Sequence, residues 1–472
     1  MSGFEAIGVD TIPEERRTST PWTFCAIVIG GNFSLGLVVY GWVAITLGLG
    51  FWSSVTSLVI GVTIALPFIA PLILIGSRTA TNNSTASGAH FGVRGRLVGS
   101  FVGLFISAIF TAIAVWTGGA VGAAALDRLF GIPDTPFVRG VSYTVLTVAV
   151  SAIVIYGYHL VVRFETMLLV LGGVALLLMV VAFAPGIDVG YPGGDYGGVG
   201  FWSAWITSLV AVGAAGPLSY VTYLGDWTRY ISPARYPARR LLPIALAGVW
   251  VSQVLPALLG ILVATAFVDP TGDFATGMAQ DGPFWFTVVL LPFVVLGSTG
   301  LACQSMYSAG LDLDAIVPRL SRATATAVTS AFSLGLVLVG SLVLRAEESL
   351  SAIAVMLVAV AMPWAVVTGI GFLRCRGRYS VDDLQVFNRR QQGGRYWFTK
   401  GWNLRAVTAW LAGSVVGVLG TSTTLFVGPV AELFGGLDLS FVQSGVVAGL
   451  VYLGLLALFP ERPAAPQTTA AR

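Results

Sequence analysis

Twelve stretches of this chain run for twenty or more residues without an Asp, Lys or Arg in their middle: 22–47, 52–75, 97–125, 140–161, 164–184, 201–223, 241–267, 284–309, 323–344, 350–373, 404–427 and 440–459. A helix needs about 20 mostly apolar residues to cross a bilayer. Each stretch is therefore long enough to span, and the longest must tilt or turn outside the lipid. With 56% hydrophobic and 10% charged residues, the chain lacks the charge that a water-exposed surface requires. One all-α polytopic membrane domain of about twelve helices is expected.

The basic residues order these stretches. With both termini placed in the cytoplasm, 22 of the 25 Lys and Arg residues fall in the tails and the loops on that side. Only Arg128, Arg139 and Arg345 fall on the other side. This is the positive-inside pattern, and a wrong helix count would scramble it. It implies a multi-pass protein of the cytoplasmic (inner) cell membrane. The N-terminal residues, with Glu5, Asp10, Glu14 and Glu15 ahead of Arg16 and Arg17, read as a polar cytoplasmic tail and not as a cleavable signal. The net charge of +3 carries no nucleic-acid signal. The bilayer is the partner that composition implies, and no obligate protein partner is evident. The outer segment 185–200 is glycine-rich and reads as a flexible connection, and the basic inner loop 374–403 has room for a short amphipathic stretch.

Three cysteines make no disulfide framework, and two histidines, His90 and His159, are too few for a zinc or haem cluster. No group of His, Cys or carboxylates gathers as a membrane enzyme would require, so a non-enzymatic protein is expected.

Two apolar stretches are interrupted. The first contains Gly30-Gly31-Asn32, and the sixth contains Gly213-Ala214-Ala215-Gly216-Pro217. Glycine and proline weaken helices and free backbone groups, which survive at membrane depth only when buried in protein or lining a cavity. Either could be a packing contact alone. They lie five helices apart, however, and paired interruptions at corresponding positions point to a transporter's central site. The expected division is a polar tail 1–21, a five-helix repeat 22–184, a second repeat 201–373, the basic loop 374–403, two further helices 404–459 and a tail 460–472. A channel would need a charged ring or carbonyl filter, and none is visible. A membrane receptor that binds without transporting is not separated from a carrier by sequence.

Several segments then resemble a known family in order and spacing: EAIGVDTIPEERR at 5–17, GGNFSLGLVVYGW at 30–42, SGAHFGVRGR at 87–96, LGDWTRYISP at 224–233, CQSMYSAGLDLDAI at 303–316 and GGLDLSFVQSGVVAGLVY at 435–452. The chain resembles the nucleobase–cation symporters, which include cytosine/purine permeases, allantoin permeases and the bacterial hydantoin transporter. The resemblance implies a LeuT-type fold, a 5+5 inverted repeat plus two C-terminal helices. It also implies a planar heterocycle held at mid-membrane between helices 1, 3, 6, 8 and 10.

Carried over residue by residue, the resemblance places substrate contacts at Asn32, Phe110, Ala114, Trp116, Tyr220, Tyr223 and Gln304. At Ala114 the family has an amide, so the substrate is left open among cytosine, purines, hydantoin, allantoin and a pyrimidine vitamin precursor. A sodium site is implied at the backbone near Gly31 and Ser34 together with the hydroxyls of Ser298 and Thr299. The residues themselves favour a neutral planar ligand, since aromatic faces bind without charge and no ionised group sits mid-run. Other readings stand beside these. Tyr220 and Trp116 serve equally as packing aromatics, Asn32 and Gln304 as interhelical glue, and Ser298 and Thr299 as hydroxyls bonded back to their own helix. Proton coupling would need a titratable group, for which Glu165, Asp226, Asp312 and Asp314 are candidates, with Glu165 expected to pair with Arg163.

Overall fold

The computed structural model describes residues 8–196, 198, 200–317, 320–343, 346–423 and 426–461, with 322, 341–343, 346–351 and 354 described by backbone alone. Arg319, Arg345, Arg462 and Arg472, which entered the charge count, and Glu5 of the N-terminal tail lie outside the described residues.

Among the described residues, ten helices and one bent helix pair are long and apolar enough to span, and with the shorter apolar helix Leu404–Leu419 they follow the order of the apolar runs, numbered here as spans 1 to 12. Span 1 is Pro21–Asn32 followed by Leu35–Thr46, two helices meeting at a 61° bend. Spans 2 to 5 are Phe51–Thr79, Leu97–Phe130, Pro136–Ile155 and Tyr158–Phe183. Span 6 covers Phe201–Thr228 in pieces: Phe201–Ser208, a π-helical stretch Leu209–Ala214, then Ala215–Ser219 and Leu224–Thr228. Spans 7 to 12 are Ala238–Ala264, Phe284–Ile316, Arg322–Val343, Ala346–Arg374, Leu404–Leu419 and Ser440–Leu458.

Local signals explain the ends. Thr20 caps span 1 in a reciprocal capping box with Thr23, and Pro21 occupies the first helical position. Thr135 caps span 4 by accepting from the Val138 N–H, with Pro136 at the first helical position.

The packing repeats with a shift of five. The first half of span 1 lies on spans 5 and 7, and span 6 lies on spans 10 and 2. Spans 3 and 8, equivalent in the two halves, pack along each other, as do spans 4 and 9. This is the 5+5 repeat, with spans 11 and 12 paired against span 10. The lipid-facing stripe of span 5 shows plainly in Val170, Val174, Leu177 and Val181, all exposed at helical spacing.

Several boundaries differ from the sequence expectation. The turn between spans 4 and 5 falls at Tyr156–Gly157 and not near residue 163, because Gly157 takes a left-handed φ of 86° that few other residues tolerate. Arg163 and Glu165 consequently lie inside span 5. In span 1 the glycines stay helical and the break comes at Phe33–Ser34. In span 6 the chain remains helical through Pro217 and turns at Tyr220–Tyr223. Span 11 stops at Leu419, well short of residue 427.

Two segments expected to be loose are docked. The glycine-rich connection 185–200 is pinned to the corner between spans 1 and 2 by a bridge between Leu49 and Gly193 and by Phe51 N–H donating to the Tyr191 carbonyl at 2.9 Å. Residues 8–20 of the N-terminal tail pack across the arginine-rich face. There the Arg17 guanidinium donates to the carbonyls of Ser77, Arg229 and Ile231. The basic loop 374–403 contains one helical turn, Val381–Leu384, and buries Leu384, Val386 and Tyr396 against Ala89 and Val93.

Candidate functional site

The two interrupted spans meet at the centre of the bundle. Asn32, the last helical residue before the break of span 1, and Tyr220, the first residue of the turn in span 6, are both buried. The Tyr220 hydroxyl donates to the Asn32 side-chain oxygen at 2.8 Å and shares its proton with the Gln304 side-chain oxygen at 3.3 Å. Gln304 of span 8 donates its amide to the Ile27 carbonyl at 2.5 Å, and Asn32 donates to the Ser252 hydroxyl of span 7 at 3.1 Å. Four spans are thus joined through one set of amides and hydroxyls. None of the four side chains carries a charge, and each is paired, as burial demands.

Glycine explains how the amides come this close. A Cβ on Gly31 would stand 2.1 Å from the Gln304 amide nitrogen, and one on Gly30 would stand 2.0 Å from the Glu165 carbonyl oxygen. The bare helix face at 30–31 is therefore what lets span 8 and span 5 approach span 1.

Aromatic rings border the network. Tyr223 meets Tyr220 edge-to-face with centroids 5.0 Å apart. Phe110 of span 3 lies nearly parallel to Tyr40 of span 1, with centroids at 6.3 Å and planes 17° apart. The Tyr40 hydroxyl is buried without a hydrogen-bond partner among the described residues. Gln253 of span 7 fills the surface of Gly216, where a Cβ would come within 2.3 Å of its side-chain oxygen.

Of the residues singled out from the sequence, Asn32, Tyr220, Tyr223 and Gln304 come together. Phe110 joins through Tyr40. Ala114 packs its backbone close to Gly36 of span 1, with its Cα 3.9 Å from where a Gly36 Cβ would stand. Ala114 is fully buried, so a larger amide side chain there would have to displace its neighbours. Trp116 stands two residues beyond Ala114 and thus on the other side of the helix. It packs half-buried against the apolar core and makes no described contact with the network. Sequence reasoning missed Tyr40, Ser252 and Gln253. The available signal was that Gln253 is the one amide in the run 241–267.

Of the sodium ligands expected at Gly31, Ser34, Ser298 and Thr299, the Ser34 and Ser298 hydroxyls are buried without a hydrogen-bond partner among the described residues. The Ser298 hydroxyl seats on Gly118 of span 3, 2.1 Å from where a Cβ there would be, and the Thr299 hydroxyl donates to its own helix at the Val295 carbonyl, 2.5 Å away. Ser34 is buried beside Gly36 and Gly297. The face that span 8 turns toward the break carries Gly297, Gly300 and Gln304, because residues three and four apart share a helix face.

Glu165 is fully buried in span 5, and both carboxylate oxygens lack a hydrogen-bond partner among the described residues. The expected pairing with Arg163 does not form, since residues two apart on a helix do not face each other.

A bundle of two inverted five-helix repeats, with its polar side chains collected where two discontinuous spans meet, defines a secondary transporter. Residues 11–447 match the family described as permease for cytosine/purines, uracil, thiamine, allantoin, and the chain belongs to that family of nucleobase–cation symporters. It is a transporter and not an enzyme. A provisionally named purine-cytosine permease, YxlA, of Bacillus subtilis (strain 168) is 24% identical over 469 residues, covering 95% of each chain. Among solved structures, the nucleobase-cation-symport-1 family transporter Mhp1, closed with bromovinylhydantoin bound, is similar at TM-score 0.74 and 18% identity, covering 97% of both chains. The inward-facing Mhp1 gives 0.66 at 18% identity over 97% and 96% of the two chains. A Na+-coupled sialic acid symporter gives 0.61 at 15% identity over 96% of this chain and 92% of that one. These likenesses establish the fold.

Proposed function

We propose that this protein imports a neutral nucleobase or a related planar heterocycle across the cell membrane by cation symport. Its arginine-rich face and both termini would lie in the cytoplasm. The observation that carries this reading is the uncharged network of Tyr220, Asn32, Gln304 and Ser252 at the junction of the two discontinuous spans. A heterocycle edge that alternates N–H and C=O groups can replace the Tyr220–Gln304 bond and keep every buried group paired. The ring faces of Tyr40, Phe110 and Tyr223 offer stacking surface without requiring charge. A carboxylate or a phosphate would find no cation in this set. All four residues are closed off from solvent, so binding requires one half of the bundle to open, as alternating access demands.

The relatives bear on the choice of ligand. The family description spans cytosine, purines, uracil, thiamine and allantoin, and the solved relative holds a hydantoin. All but thiamine, a cation, are neutral, and each carries a planar ring.

The test is a thermal-shift screen of purified protein against cytosine, uracil, adenine, hypoxanthine, allantoin and a 5-substituted hydantoin, followed by counterflow of the best ligand in proteoliposomes. A ligand at 100 times its Kd stabilises the folded state by about 2.7 kcal/mol, enough to read. A stabilising heterocycle that also exchanges across the bilayer supports transport. Binding without counterflow would make the protein a receptor, and competition by amino acids in place of heterocycles would refute the substrate class.

A further inference from the structure

Glu165 sits where three spans touch. A Cβ built on Gly300 of span 8 would lie 3.4 Å from its carboxylate and 3.3 Å from the Cα of Gly31 in span 1. The carboxyl group therefore occupies the seam between spans 1, 5 and 8, and its own backbone carbonyl lies against Gly30. Among the described residues no cation pairs with it. The facing stretches Ile27–Asn32 of span 1 and Val249–Ala264 of span 7 contain no ionisable side chain. The titratable groups that feel Glu165 are Cys303 of span 8 and Tyr220 of span 6, and neither can be positively charged. Arg163, on the same helix, points away.

An ionised carboxylate at membrane depth with no donor and no counter-ion is expensive. Nothing in its surroundings stabilises the charge, so the closed arrangement holds the neutral acid. The charged form would instead push span 1 off spans 5 and 8 until water reaches the seam. Protonation is thereby tied to the same movement that opens and closes the central site.

We propose that Glu165 is the coupling-proton site: its carboxylate takes one proton from water on one side, the neutral acid permits span 1 to close on spans 5 and 8, and the proton leaves to water on the other side. This rests on the transport reading above and adds the ion. One proton moves with each neutral base, so the cycle carries one net charge inward.

The experiment uses full-length protein in sodium-free proteoliposomes with an imposed pH gradient, the best heterocycle of the screen as probe, and Glu165→Gln beside the unaltered protein. With one proton per base, one pH unit supports an accumulation of about tenfold. The unaltered protein is expected to reach it. E165Q is expected to exchange base but to fall to an inside-to-outside ratio of roughly one, and Glu165→Asp to restore part of the gradient. Infrared difference spectra of the two proteins give a second readout that needs no substrate. A protonated carboxyl carbonyl band at neutral pH, absent from E165Q, supports the assignment. Accumulation by E165Q equal to that of the unaltered protein overturns it, as does accumulation that follows sodium and ignores the pH gradient. Should E165Q lose exchange as well, or should no heterocycle be carried by the unaltered protein, the carboxyl band alone decides. The second of these outcomes would refute the transport reading and not the proton site.

Discussion

The Tyr220 hydroxyl donates to the Asn32 side-chain oxygen across 2.8 Å, so the turn of span 6 and the last helical residue of the first half of span 1 share a proton at the centre of the bundle. Tyr220→Phe removes that proton and leaves the buried Asn32 and Gln304 oxygens short of a donor. A lost internal bond of this kind is worth about 1 kcal/mol, and a stranded polar group adds a further 1–3 kcal/mol. The affinity for the preferred heterocycle is expected to fall roughly tenfold or more in Y220F, read by isothermal titration. Tyr220→Ala should abolish the thermal shift altogether. Unchanged affinity in Y220F would place the ligand away from this junction.

Gln253 is the residue to substitute next. It lies against Gly216 at the interrupted span, one helical turn before Tyr220. Gln253→Ala should weaken binding by about tenfold, the size of one buried hydrogen bond from its amide to the ligand, whereas Trp116→Ala should leave affinity intact. Ala114→Gln is expected to lower the thermal midpoint without improving affinity, since overpacking at the Gly36 contact costs about 1–3 kcal/mol. If A114Q bound more tightly, the amide would after all belong on span 3.

Much of this architecture was legible in the sequence, and the reasons are physical. Apolar runs of spanning length located the helices in order, since that length follows from the bilayer as solvent. The two interruptions located the centre because broken backbone is tolerated only there. What escaped was the direction of each side chain. On span 8, Gly297 and Gly300 close against the backbone of Ser34 and Gly31, a contact the run 284–309 does not announce. Helix phase depends on how neighbouring spans pack, which a single run does not record. The site of Glu165 was hidden for a related reason: its depth depends on Gly157 ending span 4 early.

Gly30 gives a stability prediction. A Cβ there would come within 2.0 Å of the Glu165 carbonyl oxygen, a backbone atom that cannot swing aside. Gly30→Ala is expected to force span 1 away from span 5 and to lower the thermal midpoint of the ligand-free protein, at a cost of about 1–3 kcal/mol. Gly335→Ala, with nothing within 4 Å, serves as the control. Equal midpoints for the two variants would refute the close approach of spans 1 and 5.

His90 predicts a pH response outside the membrane spans. Burial, assisted by the nearby positive charge of Arg374, lowers its pKa from 6.5 to about 4, and its ring nitrogen lies 3.1 Å from the Tyr379 hydroxyl. The folded protein keeps the ring neutral where the unfolded chain would protonate it. Stability is therefore fully present above about pH 6.5 and declines as pH falls toward 4, by at most roughly 3 kcal/mol at one pKa unit per 1.36 kcal/mol. Thermal midpoints should drop over that interval, and less steeply in His90→Gln. A parallel decline in both proteins would assign the acid sensitivity to other groups.

Arg17 predicts a change in access. Its guanidinium is buried and bonds the carbonyls of Ser77 at the end of span 2 and of Arg229 and Ile231 just past span 6, while Glu14 holds both Arg17 and Ser232. Burial pushes the guanidinium's pKa down and Glu14 pushes it back up, so the side chain remains a charged fork joining two spans that must separate if this face is to open. Arg17→Ala removes three donors at once and should shift the equilibrium toward an open arginine-rich face. A shift of about 1.4 kcal/mol changes that population tenfold. Cys303 reports on it, being fully buried in span 8 next to the Gln304 network. In a protein with Cys25 and Cys375 replaced by Ser, maleimide labelling of Cys303 should accelerate about tenfold in R17A. Arg17→Lys should give an intermediate rate, since an ammonium keeps the charge but not the planar fork. Labelling at the unaltered rate in R17A would mean that the tail decorates this face without holding it shut.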